Sequence, residues 1–80
     1  MHIVKYTDTN KVAAASTTTV WEYLTPDKEI SGAVAQINGR YPETGFAVNE
    51  VSKELAFVIS GKGKIVSPGG ETSLDLGDVI

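Results

Sequence analysis

An all-β fold is what this sequence predicts, and three observations predict it. Apolar and polar residues alternate over short runs, the period of a half-buried strand. Thr, Val, Ile and aromatic residues crowd those runs, as a pleated surface favours. Gly- and Pro-containing clusters separate them, and no stretch keeps a helical period for more than a turn or two. Many short strands joined by such turns make a barrel or a sandwich, here as one domain over residues 1–80.

Each element follows in order. His2 to Thr7 reads as a strand and the Asp-Thr-Asn after it as a turn. "KVAAAS" has the composition of a helical turn, which the Thr run behind it stops. Ser16 to Leu24 reads as a strand with Val20, Glu22 and Leu24 on one side and Trp21 and Tyr23 on the other. Pro26 sets a turn within Thr25 to Glu29. Ile30 to Ile37 reads as a strand buried on both faces, and Asn38 to Gly45 as a turn-rich connection. Phe46 to Glu50 reads as a short strand.

Glu54 to Ser60 is the strongest strand candidate, with Glu54, Ala56 and Val58 opposite Leu55, Phe57 and Ile59. Gly-Lys-Gly then turns into Lys64 to Ser67, and Pro68 to Gly70 turns again. Glu71 to Leu76 alternates, with Leu74 and Leu76 inward. Gly77 and Asp78 turn into a last strand opened by Val79 and Ile80.

Composition narrows the function classes. The 80 residues are 41% hydrophobic and 21% charged, an ordinary globular balance. Seven basic residues against ten acidic ones give a net charge of −3. That balance disfavours nucleic acid and anionic membranes as partners. There is no cysteine, which excludes disulfides, thiolate nucleophiles and Cys zinc sites. A small secreted domain is usually stapled, so a cytoplasmic location is expected. One histidine, His2, leaves no Ser-His-Asp triad to build. "GKGK" lacks the spacing of a phosphate-binding P-loop and reads as a hairpin turn.

The run "ELAFVISGKGKIVSPGGETSLDLGDVI" resembles the cupins, small jelly-roll barrels. Glu54, Gly61 and the Gly77-Asp78 pair carry the resemblance, in order and spacing, and it covers roughly residues 30–80. It implies a jelly-roll β-barrel. Cupins that bind metal place a His-x-His pair just ahead of the glutamate. Here those positions are Val48 and Glu50 or Ala47 and Asn49, in the two possible registers. The resemblance therefore implies a cupin with no metal and no cofactor.

The family's barrel has further strands after Gly-Asp, so the resemblance also implies a barrel left open by residues 1–80. Completion or cover by a homodimer is the expectation, because an open apolar edge invites a second chain. The outer row Leu55, Phe57 and Ile59 asks for the same cover.

The function expected is metal-independent binding of a small polar molecule. Glu54, Glu50, Asn49, Arg40 and Tyr41 are the candidate ligand-binding residues. Glu54 would line the barrel as an inward carboxylate; its bland alternative is a strand start at the solvated rim. Arg40 would pair with Glu50 or Glu54 or clamp an anionic ligand; the alternative is a surface arginine beside a Tyr41-Pro42 turn plug. Asn49 and Glu50 would stand in for lost ligands, or form a polar turn. Trp21 and Tyr23 would stack on a ligand, or pack in a core or dimer interface. The alternatives at the level of function are a metal-dependent cupin enzyme of isomerase, epimerase or dioxygenase type, and a structural dimerisation domain. Whether any reaction is catalysed stays open.

Overall fold

The computed structural model describes residues 1–27, 29–47 and 53–80. These are all-β, in two small antiparallel sheets that belong to two compact units, Met1–Gly45 and Phe46–Ile80. The strands are β1 (Asn10–Ala15), β2 (Thr18–Tyr23), β3 (Gly32–Ile37), β4 (Gly63–Ser67) and β5 (Gly70–Leu74). Neither sheet closes on itself. No helix among the described residues is long and apolar enough to cross a membrane.

In the first unit β1, β2 and β3 form an antiparallel meander. Asn10 faces Glu22, Val12 faces Val20, and Val20 in turn faces Ala35. Side chains alternate across a pleat, so Val12, Val20, Ala33, Ala35 and Ile37 share one face. Trp21, Tyr23, Val34 and Gln36 share the other. The apolar face ends at a polar pair, where Asn10 Nδ2 donates to Glu22 Oε1 at 2.8 Å. On the opposite face the Lys11 ammonium sits 5.7 Å from the centre of the Trp21 ring, a cation–π arrangement.

The hairpin between β1 and β2 turns through Ser16 and Thr17. The register slips between Ala13 and Ala15, which marks Ala14 as the extra residue of a β-bulge. No non-glycine residue among those described has a positive φ. The turn therefore lacks the mirror-image geometry that matches strand twist, and the bulge takes up the mismatch.

In the second unit β4 and β5 form a hairpin through Ser67–Gly70. Lys64 Nζ lies 3.3 Å from Glu71 Oε2, an exposed ion pair that contributes little. Residues 56–58 pair with residues 78–80 through a single bridge, Phe57 to Val79. Four backbone bonds frame it: Ala56 N to Ile80 O, Ile80 N to Ala56 O, Val58 N to Asp78 O and Gly77 N to Val58 O, at 2.8–3.1 Å. Asp78 closes the preceding turn by accepting from Asp75 N at 2.8 Å.

Several sequence expectations are corrected. His2 to Thr7 is not a strand; the segment runs into a turn of 3-10 helix, Tyr6–Asp8, and the first strand begins at Asn10. "KVAAAS" is not helical but lies largely in β1, where backbone pairing to β2 outweighs the helix preference of alanine. Glu54 to Ser60 is not the strongest strand; its pairing stops at the one bridge. Ile30 to Ile37 does contain β3, yet every residue of that strand is exposed rather than buried on both faces. Leu74 is half-buried as expected, whereas Leu76 is 67% exposed. Phe46 and Ala47 are not in a strand, and the rest of the short strand read there lies outside the described residues.

No apolar side chain among the described residues is buried; Thr18, at 3% exposure, is the buried residue.

Candidate functional site

A network of side-chain hydrogen bonds lies where the β1–β2 turn meets the loop after β3. Six hydrogen bonds build it. Asn38 N donates to Thr17 O at 2.7 Å, and the Thr17 hydroxyl donates to Arg40 O at 2.7 Å. The Arg40 guanidinium turns back on its own loop, donating from Nη1 to Glu43 O at 2.7 Å and from Nη2 to Gly45 O at 3.0 Å. Glu43 Oε1 then accepts from the Ser16 backbone N at 3.0 Å and from the Ser16 hydroxyl. The result is a clip across 27 residues of chain.

Gly39 makes the approach possible. Its φ is +128°, a backbone that side chains rarely adopt, and a Cβ there would lie 2.8 Å from Thr17 Cγ2. The loop then passes through a cis Tyr41–Pro42 peptide. Between this loop and the bulged end of β1 lies an open hollow of about 360 Å³, lined by Ala14, Ala15, Tyr41, Pro42, Glu43 and Thr44. The bulge supplies its floor, since it is the irregularity that presents both alanines there.

The two Ser16 donors hold the Glu43 carboxyl below the ordinary glutamate pKa, the hydroxyl contributing most and the backbone N–H next. No neighbouring cation contributes to that lowering. A carboxylate whose folded pKa is depressed stabilises the fold above its unfolded pKa, and the contribution is lost as pH falls through the folded value. The Ser16 amide resonance is therefore expected to titrate with a midpoint below that of a free glutamate, as an NMR pH series would read. A midpoint at or above the free value would contradict the clip.

The sequence candidates are dispersed. Arg40 and Tyr41 are neighbours in the first unit, where Arg40 holds backbone carbonyls and Tyr41 lines the hollow, 46% exposed. Glu54 lies in the second unit with its side chain exposed. Asn49 and Glu50 lie outside the described residues. Trp21 and Tyr23 are half-buried on one sheet face, with the Lys11 ammonium over the indole. Among the described residues no group of three or more His, Cys, Asp or Glu is placed to hold a metal ion.

Sequence reasoning passed over Ser16 and Glu43. The pair has no local signature, because a serine in one turn and a glutamate in a distant one become partners only once the meander forms. Comparison with family models, curated proteins and solved structures returns no match for this chain.

Proposed function

We propose that the chain is an assembly module, one wall of a cupin-like barrel whose apolar core closes against a second copy of itself. The observation that carries this is that no apolar side chain among the described residues is buried, so each sheet leaves its apolar side chains without a core to cover them. Obligate homodimer interfaces resemble a domain core cut in half, and a sheet face left bare in one chain is the kind of surface they cover.

The face offered is suitable. Val12, Val20, Ala33, Ala35 and Ile37 present apolar side chains in register, with Ile37 53% exposed. The one carboxylate at its border, Glu22, already accepts from Asn10. A two-fold dimer is the commonest closed assembly and asks only that a patch complement itself. In the second unit Leu55, Phe57 and Ile59 add a further bare row, each 65–70% exposed. On this reading an enclosed pocket for a small polar ligand exists only in the closed assembly, which accounts for the exposure of Glu54 in one chain.

Sedimentation velocity over a hundredfold range of concentration tests the proposal, alongside thermal melts of the same samples. A dimer whose melting temperature rises with concentration is expected. A monomer with a cooperative, concentration-independent melt overturns it, as do aggregates of no fixed stoichiometry.

A further inference from the structure

We propose that the hollow between the bulged end of β1 and the Tyr41–Thr44 loop is a binding site for a small organic cation, a primary ammonium on a short apolar stem. The reading is independent of the assembly proposal. Four features of the site support it.

First, the hollow of about 360 Å³ falls within the size of small-ligand pockets, and Ala14 and Ala15 are among the residues that line it. Second, Tyr41 and Pro42 also line it, an aromatic and an aliphatic residue, with Tyr41 46% exposed. An aromatic face attracts a cation through its quadrupole. Third, the Glu43 side chain is fixed in place by both Ser16 donors through Oε1 alone. Its Oε2 accepts no hydrogen bond among the described residues, so one carboxylate oxygen is positioned and available.

Fourth, the negative charge is not cancelled on site. Ser16 is a neutral donor, and Arg40, on the same loop, spends its guanidinium on the Glu43 and Gly45 carbonyls. The charge, the ring and the apolar floor are thus held together by contacts that the ligand does not have to make. That is the arrangement that keeps the ordering cost of binding low.

The chemistry selects the class of ligand. A divalent metal needs several oxygen donors, and the hollow presents one carboxylate. An anion would meet Glu43. A neutral alcohol would gain the apolar floor but not the charge. A primary ammonium with a short alkyl stem satisfies all three walls at once.

The test is an NMR titration of the ¹⁵N-labelled full chain with n-butylammonium chloride, beside n-butanol and beside KCl at matched ionic strength. Saturable shifts are expected at the amides of Ala14, Ala15, Glu43 and Thr44. The dissociation constant should be on the order of 1–10 mM, as one open ion pair and one cation–π contact provide. Butanol should bind at least about tenfold more weakly, since it lacks the charge.

Glu43→Gln should abolish the saturable response. Tyr41→Leu, which leaves the Ser16–Glu43 clip untouched, should weaken it about threefold. Should Glu43→Gln disturb the loop, Tyr41→Leu decides alone. Equal responses to butanol and butylammonium overturn the proposal, as does a response to KCl of the same pattern, undiminished binding in Tyr41→Leu, or no saturable shift in the loop. Each readout is local to the first unit and holds for monomer or dimer, so failure here is distinguishable from failure of the assembly reading.

Discussion

Val20→Asp is expected to raise the dissociation constant of the proposed homodimer by at least about 100-fold, close to 3 kcal/mol. Val20 sits mid-row on the apolar face, between Val12 and Ala35. A carboxylate there must be desolvated in any interface that covers the face, and no cation stands in that row to pair with it. Sedimentation equilibrium of the variant against the parent chain reads the change. Gln36→Asp is the control, because Gln36 is exposed on the opposite face of the same sheet. An equal loss in both variants would place the interface elsewhere, and an unchanged Val20→Asp dimer would remove this face from consideration.

Gly39→Val is the second large effect, with a destabilisation of about 2–4 kcal/mol expected for the first unit. Two penalties add. The φ of +128° is strained for any side chain and most of all for a β-branched one. The new Cβ also meets Thr17 Cγ2 at 2.8 Å, so Thr17 or the loop must move. Either movement pulls on the Thr17–Asn38 and Thr17–Arg40 bonds, and through them on the clip to Ser16. Denaturant titration measures the loss of stability. The Glu43 titration should return to the ordinary glutamate range in the same variant. A Gly39→Val chain of parental stability would mean that this loop does not have the conformation described.

What the sequence disclosed depended on whether a signal was local. β2 was legible because Thr18 to Tyr23 combines β-branched and aromatic residues, and such a run fits few other structures. The β4–β5 hairpin was legible because Pro68 and the glycines after it punctuate two alternating runs. β1 was hidden by its three alanines, whose intrinsic preference is helical. Its strand character comes from pairing with β2, a fact about another segment. The reverse error fell on His2 to Thr7, whose composition suits a strand although no partner strand takes it up. The site was the least legible part. Tyr41 was read as a ligand contact or, alternatively, part of a turn plug, and Arg40 as a partner of Glu50 or Glu54 or a clamp on an anionic ligand; the groups its guanidinium holds are carbonyls of its own loop. Glu43, the residue with the perturbed carboxyl, owes its role to a serine that only the meander brings near.

The strand connections carry one more consequence, for the rate of folding. Within each sheet every pairing joins strands consecutive in the chain, β1 with β2, β2 with β3, and β4 with β5. Chains dominated by such short-range closures search little before their contacts form, and hairpins zip on a scale of about 1–10 μs. On the assembly proposal, the encounter of two chains adds a step whose rate depends on concentration, as hairpin closure within one chain does not. Dilution then becomes a variable that bears on how fast the native state is reached.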